Sequence, residues 1–375
     1  MKKALKIIGI VLGSIVLLAI LLAVFVIIKG NNSFKNLQRV DSIGSLYYID
    51  YVGNYESPVV TKFLDLAAAG CSAFITENEN GEVITCRNFD YPHHDDEGNP
   101  FGLNVIVKCT PEGKYASIGI ADIGLFSIIG LPYYSGSLDS GNLPTLPLMW
   151  APYLCLDGLN EMGLSVTILA LDLKEGETAT KQTEAGKPSL MVTEMLRQIL
   201  DNCASLEEAI EFAEGINAIC TFGEDYHLFV TDATGASAVF EWRYNDFTVT
   251  YTDAVTNFYV GYDDGCDSYN NGVLKDAFVT AGDTLRDYHY GYGHGYGRFA
   301  TIASTLDSCI VDEESLKTSM TDDEAMALLS QASQDYDPDS PTSFTQYSVI
   351  YNNTNLSVTI CPMRNYDEKY VFSAK

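Results

Sequence analysis

An uncharged apolar run near the N-terminus places the strongest constraint on how this chain can fold. Residues 7–28 form a stretch of 22 residues without a charged side chain, and about 20 apolar residues are enough for a helix to cross a bilayer. A signal peptide has a shorter apolar core of about 7–15 residues and a small-residue cleavage pattern, which this run lacks. We therefore predict an uncleaved transmembrane anchor over residues 1–30, with a cleaved signal as the alternative. Lys2, Lys3 and Lys6 place the N-terminus in the cytoplasm, so the rest of the chain is expected outside it.

The composition excludes several classes of protein and of site. The chain has 50 acidic residues against 22 basic ones, a net charge of −28, whereas nucleic-acid binding requires clustered lysine and arginine. We therefore predict no nucleic-acid partner and no membrane contact beyond residues 7–28. The nine cysteines include no C-x-x-C pair, and eight of them could form disulfides in an oxidising space. The acidic and histidine-bearing run 93–97 reads as a solvated loop, because adjacent side chains on such a loop seldom converge on a metal. We predict no cofactor and no metal, and leave a homo-oligomer open.

Cys71 carries the most informative spacing in the chain. It follows Gly70 directly, and Arg87 and Asp90 come 16 and 19 residues later. Most cysteines are small buried apolar residues, but a cysteine with a free α-amine has a nucleophile and a base on one residue. An α-amine titrates near ~7.7–8.0, close to neutral pH. A nearby arginine favours the thiolate, and a nearby carboxylate holds the amine. The spacing therefore suggests that Cys71 becomes a new N-terminus.

Further motifs follow this pair along the chain. In order, the segments are residues 70–74 with 87–90 (Gly-Cys-Ser-Ala-Phe and Arg-Asn-Phe-Asp), 157–164 (Asp-Gly-Leu-Asn-Glu-Met-Gly-Leu), 255–257 (Val-Thr-Asn), 297–299 (Gly-Arg-Phe) and 345–348 (Thr-Gln-Tyr-Ser). Together they resemble the choloylglycine hydrolase family of N-terminal-nucleophile amidases, which includes bile salt hydrolases and penicillin V acylases. Acid ceramidase and N-acylethanolamine acid amidase are similar relatives. The resemblance implies an α+β fold, specifically the four-layer αββα sandwich of N-terminal-nucleophile hydrolases.

The sequence pattern by itself indicates hairpins with helices between them. Residues 71–76 and 83–87 read as paired strands around a turn. Apolar residues recur at helical spacing over 189–202, and further helices are expected at 298–306 and 322–331. Antiparallel hairpins combined with helices imply packed layers.

The resemblance also implies a role for each residue of the site. Cys71 attacks an amide carbonyl, its own α-amine moves the proton, and Asp90 holds that amine. Asn257 donates an N–H to the oxyanion, while Arg87 and Arg298 supply positive potential that favours the thiolate. One position departs from the family pattern, because bile salt hydrolases have an oxyanion-hole asparagine where this chain has Ala170. A backbone N–H is expected to serve there, and the substrate class stays open.

The position of Cys71 requires a cut before it can have a free amine. Removal of the initiator methionine leaves it internal, so we predict autocatalytic cleavage between Gly70 and Cys71. Gly70 lacks a Cβ and can adopt a strained backbone, which favours attack on its carbonyl. The predicted organisation is an anchor at 1–30, a linker and pro-segment at 31–70, and an amidase domain at 71–375. After the cut, the domain either leaves the cell surface or stays bound to residues 31–70.

A run rich in glycine and tyrosine at 288–297 precedes Arg298. It reads either as a surface loop or as a mobile lid, and the lid reading assigns substrate binding to Tyr292 and Tyr296. The sequence thus predicts a membrane-tethered, self-processing cysteine amidase with a small-molecule N-acyl amide substrate of the bile-salt, penicillin V or N-acyl amine type. An acyltransferase acting on an amine acceptor and a catalytically silent surface-binding protein on the same fold are the alternatives.

Overall fold

The computed structural model describes residues 37–53, 55, 70–95, 97–125, 146–220, 224–243, 246–261, 293–312, 316–336 and 343–375. The predicted anchor at 7–28 and Tyr292 lie outside these ranges. Within them, no helix has the length and apolar character that crossing a bilayer requires. The anchor therefore stays a prediction.

Short strands dominate the described part of the chain. In chain order they are β1 Gln38–Arg39, β2 Leu46–Val52, β3 Gly70–Glu77, β4 Val83–Asp90, β5 Asn104–Thr110, β6 Ser117–Asp122, β7 Cys155–Asn160, β8 Ser165–Leu171, β9 Ser189–Met191, β10 Asn217–Ile219, β11 Asp225–Thr231, β12 Ser237–Arg243, β13 Asp246–Tyr251, β14 Ala254–Val255, β15 Asn257–Phe258, β16 Gly293–His294, β17 Ile310–Asp312, β18 Lys317–Thr318, β19 Thr345–Asn352, β20 Ser357–Pro362 and β21 Tyr370–Ser373. The helices are α1 Val192–Asn202, α2 Leu206–Glu214, α3 Tyr296–Ser308 and α4 Asp322–Gln331, with a 3-10 helix at Leu146–Tyr153.

Most of these strands belong to two sheets that pack face to face. The first sheet has the order β1-β2-β5-β6-β7-β8-β11-β12-β13, and the second has the order β14-β3-β4-β19-β20-β21. Strand β3 of the second sheet contacts β8 of the first. Both strands are buried almost throughout, as expected of strands covered on both faces.

The helices cover the outer faces of the two sheets. Helix α1 packs on β7 and β8, and α2 packs on β11 and β12. On the other side, α3 packs on β3 and β14, while α4 packs on β4 and β19. The layers therefore follow the order helix, sheet, sheet, helix, and the predicted α+β class is confirmed.

The helix boundaries follow local signals in the sequence. Helix α4 begins after Thr321, whose side chain and that of Glu324 cap each other reciprocally, the arrangement of a capping box. The prediction of a helix over 322–331 matches α4. The helix predicted over 189–202 begins three residues late, because 189–191 form a short parallel strand with 217–219.

Two features differ from the sequence-based expectations. Part of the segment predicted as a linker belongs to the first sheet, because β1 and β2 lie within residues 31–70. The eight cysteines within the described ranges are all free thiols, so the pairing that the sequence left open does not occur among them.

Candidate active site

The pairing of β3 with β4 explains the spacing that singles out Cys71. In this antiparallel pair, Cys71 lies opposite Phe89 and Ala73 lies opposite Arg87. Side chains directly opposite each other, and those two residues apart on one strand, share a face of the sheet. The register therefore brings Arg87 beside Cys71. The same register pairs Gly70 with Asp90, which places the carboxylate next to the bond that is predicted to be cut.

The sulfur of Cys71 lies beside a fully buried guanidinium. Nη2 of Arg87 is 3.5 Å from Sγ and also donates to the Ile168 carbonyl at 2.9 Å. Its Nη1 forms an ion pair with Asp157 and donates to Oη of Tyr347 at 3.0 Å. The ring of Phe89 lies 5.1 Å from the guanidinium carbon. These contacts fix the guanidinium against the thiol.

Burial dominates the ionisation of this thiol in the uncut chain. Cys71 is 1% exposed, and burial raises its pKa above the ordinary value. The charge of Arg87 opposes this shift, while the charge of Asp90 adds to it. Because Arg87 is already paired with Asp157, only part of its charge acts on the sulfur. The neutral thiol is therefore the favoured form before cleavage.

The backbone of Cys71 is held by a second group of residues. Its N–H donates to Oδ1 of Asn257 at 2.7 Å, and its carbonyl accepts from Nη1 of Arg298 at 2.6 Å. Nη2 of Arg298 donates to the same Oδ1 of Asn257 at 2.8 Å. Nδ2 of Asn257 donates to the Ala170 carbonyl at 2.8 Å, which fixes the orientation of the amide. One asparagine thus links the amide nitrogen of Cys71 to the end of β8.

Asp90 is buried within hydrogen-bonding distance of this group. Its carboxylate accepts from Nε2 of Gln334 at 2.7 Å and from Oγ1 of Thr345, and it lies 3.3 Å from Nη1 of Arg298. Burial raises the pKa of Asp90, and Arg298, Thr345 and Gln334 oppose that shift. In the uncut chain the amide N–H of Cys71 donates to Asn257, and the contact of Asp90 with the free α-amine of the cleaved chain stays a prediction.

Gly70 is required by space and not by backbone strain. It lies within β3, outside the left-handed region of φ, so the strained geometry expected from the sequence is absent. A Cβ at this position would lie 2.1 Å from Nε2 of Gln334, 3.0 Å from Oγ of Ser343 and 3.2 Å from Oδ2 of Asp90. Three polar side chains therefore close around the residue that precedes the nucleophile.

Tyr296 does not occupy the position of a lid. It is 8% exposed and stacks on Phe258, with ring centroids 4.8 Å apart. The reason is its place as the first residue of α3, which packs against the second sheet. Tyr296 is therefore packed in the core and not on a surface loop, and its assignment to substrate binding stays a prediction. Tyr292 lies outside the described residues.

A narrow apolar cavity reaches the sulfur from the side of the first sheet. Its walls include Phe89, Leu156, Ile168, Ala170 and Tyr226. Ala170 lies in this wall, and its methyl group adds to the apolar lining. The space next to the nucleophile is therefore apolar, and it is small, about 10 Å³.

Sequence reasoning did not identify the residues that support the site. Asp157 and Tyr347 lie in segments that were recognised, but their contact with Arg87 was not foreseen. His227 was missed altogether: its Nε2 lies 2.8 Å from the Thr256 carbonyl, and its Nδ1 lies 3.1 Å from Glu241. A histidine in the middle of a buried strand was the available signal, since buried polar side chains are usually hydrogen-bonded.

The residues of the run 93–97 diverge in the structure. His93 is buried and its Nε2 lies 2.7 Å from Oδ2 of Asp122, whereas His94 is exposed. Within the described ranges, no group of three or more potential metal ligands comes together.

Comparison with known proteins identifies the segment that contains part of this site. Residues 146–257 match the model of the linear amide C–N hydrolases, choloylglycine hydrolase family. The matched segment includes Asp157 and Asn257 and ends before Arg298. A comparison with curated protein sequences finds no match.

Solved structures of similar fold include two altered forms of a conjugated bile acid hydrolase from Clostridium perfringens. The first, a mutant of that enzyme, has a TM-score of 0.54 and 17% sequence identity, and the match covers 81% of this chain and 92% of that chain. The second, another variant of it, has a TM-score of 0.55 with the same identity and coverage. Penicillin V acylase from Agrobacterium tumefaciens matches with a TM-score of 0.45 and 18% identity over 80% of this chain and 90% of its own; the likeness of fold rests on the two bile acid hydrolase structures. The resemblance indicated by the motifs is confirmed: residues 146–257 are similar to the choloylglycine hydrolase family model, and the fold is similar to that of the two bile acid hydrolase structures.

Proposed function

We propose that this chain is a self-processing cysteine amidase that cleaves N-acyl amides through an acyl-thioester on Cys71. The observation that carries the proposal is that three atoms of Cys71 each have a separate partner. Sγ lies beside Arg87, the nitrogen is held by Asn257, and the carbonyl oxygen is held by Arg298. Any buried backbone N–H and C=O needs a partner, but here both partners are side chains of residues that the motifs single out, and a third such residue lies beside the sulfur.

Processing begins with attack of the Cys71 sulfur, as thiolate, on the Gly70 carbonyl carbon. The carbon–nitrogen bond between Gly70 and Cys71 breaks, the nitrogen takes a proton, and Gly70 becomes a thioester on Sγ. Water then hydrolyses this thioester, which releases the Gly70 carboxylate and leaves Cys71 with a free amine. That amine retains the position where Asn257 accepts a hydrogen bond, close to Asp90.

Turnover repeats the same chemistry on an external amide. The amine takes the thiol proton as Sγ attacks the substrate carbonyl, and it later gives that proton to the leaving amine. Nδ2 of Asn257 is a hydrogen-bond donor close to Cys71, and in the uncut chain it holds the Ala170 carbonyl. The proposal assigns this donor to the oxyanion of the tetrahedral intermediate. Water then releases the acyl group as an acid.

The apolar lining of the site supports an apolar acyl group, although the cavity of the uncut chain measures only about 10 Å³. The cavity beside Sγ is walled by Phe89, Leu156, Ile168 and Tyr226, and burying hydrocarbon against such side chains is favourable by ~25 cal/mol per Å². We therefore assign the acyl side of the substrate to this cavity.

The localisation follows from the apolar run at the N-terminus. We propose a single membrane span at residues 7–28, with the amidase domain on the extracytoplasmic side. The uncharged length of the run and the three lysines before it support this placement.

The test of the proposal uses Cys71→Ala and Cys71→Ser beside the wild-type chain. Intact-mass measurement should show a cut before Cys71 in wild type and an uncut chain in Cys71→Ala. Hydrolysis of a panel of taurine and glycine conjugates of bile acids, phenoxyacetyl amides and fatty N-acyl amines should fall to background in Cys71→Ala. Cys71→Ser keeps the size of the side chain and controls for folding. If Cys71→Ala still hydrolyses these substrates, Cys71 is not the nucleophile.

A further inference from the structure

We infer that residues 37–55 stay bound to the amidase domain after the cut and act as a permanent second subunit of the mature enzyme. The inference rests on the proposed processing between Gly70 and Cys71. It decides between release of the domain and its retention. It identifies the retaining surface as the edge of β5 that β2 covers.

Strand β2 is an internal strand of the first sheet. It pairs in parallel with β5 over its whole length, from Leu46 opposite Asn104 to Val52 opposite Thr110, and β1 covers its other edge. Without β2, the edge of β5 would present a row of unpaired backbone groups. The cut itself breaks none of these hydrogen bonds.

The side chains of β2 belong to the core of the amidase domain. Leu46, Tyr47 and Ile49 are fully buried. Oη of Tyr51 donates to the Met149 carbonyl at 2.8 Å, in the 3-10 helix. Alternate residues of the strand are thus embedded in the domain, and their release would expose them to water.

Tyr55 ends this segment inside a buried charged cluster. Its Oη donates to Oδ1 of Asp201 at 2.6 Å, and Asp201 is also paired with Lys114 and Arg197, each at 2.8 Å. The ring of Tyr55 lies 5.3 Å from Nζ of Lys114 and 5.5 Å from the guanidinium carbon of Arg197. Burial raises the pKa of Tyr55 far above its ordinary range, so it remains a neutral donor. Loss of Tyr55 would leave both cations without the ring that covers them.

The segment also reaches the second sheet. The ring of Tyr48 stacks on that of Phe372, with centroids 5.4 Å apart and an interplanar angle of 6°. Phe372 lies in β21, at the edge of the second sheet. Retention therefore depends on contacts with both sheets and not on β5 alone.

The consequence concerns the place where the enzyme acts. The predicted span at 7–28 is on the same fragment as β2. A mature domain that holds β2 stays at the membrane even though its covalent link to the anchor has been cut.

The experiment uses the full chain in detergent after maturation. Native size-exclusion chromatography followed by a denaturing gel should show fragments 1–70 and 71–375 eluting together in equal amounts. An active 71–375 fragment that elutes without its partner overturns the inference.

A second arm separates this test from the proposed function. A recognition site for a sequence-specific protease is inserted between residues 55 and 70 of Cys71→Ala, which cannot cut itself. After protease treatment, the two fragments should still elute together. Co-elution here combined with an uncut wild-type chain would refute self-processing and leave retention standing, whereas separation of the fragments refutes retention.

Matched variants locate the retaining contacts. Ile49→Asp places a carboxylate in the core, whereas Val52→Asp places the same group at a position that is 62% exposed. Ile49→Asp should release the 1–70 fragment or prevent folding, and Val52→Asp should behave as wild type. Tyr55→Phe keeps the fold and removes one hydroxyl, and it should lower the urea concentration at which the fragments separate. An unchanged urea midpoint in Tyr55→Phe argues against the role of the charged cluster.

Discussion

The sulfur side and the nitrogen side of Cys71 are built in different ways. On the sulfur side, Arg87 and Asp157 form an ion pair that is fully buried between the two sheets. On the nitrogen side, Arg298 comes from helix α3, is 14% exposed, and bridges the Cys71 carbonyl to Asn257. The first arrangement is fixed by strand register, and the second is assembled from distant segments.

Because of this difference, we expect substitutions on the two sides of Cys71 to have different effects on folding stability and on catalysis. Cleavage turns the amide N–H of Cys71 into an amine and removes Gly70, so it changes only the nitrogen side. We therefore expect substitutions on the sulfur side to act mainly on folding and on ionisation of the thiol. Substitutions on the nitrogen side should act mainly on maturation and turnover.

The largest expected effect is on the sulfur side. Asp157→Asn leaves the charge of Arg87 buried without a carboxylate, and breaking such a pair costs about 3–5 kcal/mol of unfolding free energy. Urea unfolding followed by fluorescence measures this loss. Asp323→Asn is the control, because Asp323 pairs with Lys369 at the surface and its loss should change stability little. Equal stability of the two variants would show that the buried pair is not essential.

The next effect is on the nitrogen side. Asn257→Asp keeps an oxygen at the position that accepts from Cys71, but it lacks the N–H assigned to the oxyanion. Both Asn257→Asp and Asn257→Ala should reduce kcat by about 10²–10³-fold, while the unfolding free energy changes less than in Asp157→Asn. Steady-state kinetics on matured protein supply the measurement. Wild-type kcat in Asn257→Asp would remove this residue from the oxyanion site.

The pH dependence of maturation tests the ionisation of the thiol. Burial raises the pKa of Cys71 in the uncut chain, and Arg87 only opposes this shift. Because the thiolate is the attacking form, the maturation rate should rise by up to about tenfold per pH unit through the ordinary cysteine range near 8.5. The fraction of uncut chain, followed over time at different pH values, measures the rate. A plateau below about pH 7 would mean that the Arg87 charge outweighs burial.

The smallest effect concerns the space around Gly70. Gly70→Ala forces Gln334 to move and to give up its hydrogen bond to Asp90, so maturation should slow by about tenfold, as expected for a net loss near 1.5 kcal/mol. The control is a chain that already carries Gln334→Ala and therefore lacks the side chain that Gly70→Ala would displace. Adding Gly70→Ala to it should slow maturation much less, and a full tenfold effect there would point to a cause other than Gln334.

The sequence predicted the location of the site better than its contacts. Cys71, Arg87, Asp90, Asn257 and Arg298 lie in short motifs, and the structure brings all five together. The hydrogen-bond partners of these five residues could not be predicted from the sequence. The contact of Asn257 with the amide nitrogen of Cys71, for example, depends on where separate segments of the chain meet in space. The crowding around Gly70 was not foreseen for the same reason, since the side chains that surround it include those of positions 334 and 343.

The strand at residues 46–52 was missed for a different physical reason. A parallel pair such as β2 with β5 requires a long connection, so its pairing leaves no local turn signal in the sequence. The position of the cut also favoured the reading of everything before Cys71 as a linker. The aromatic and β-branched residues among 47–52 (Tyr-Tyr-Ile-Asp-Tyr-Val) were the signal that the segment is a strand.

N-terminal sequencing of active, matured protein tests the central claim most directly. The account predicts that the large fragment begins Cys-Ser-Ala-Phe, with Cys71 as its first residue. Activity from material whose large fragment begins at any other residue would contradict it.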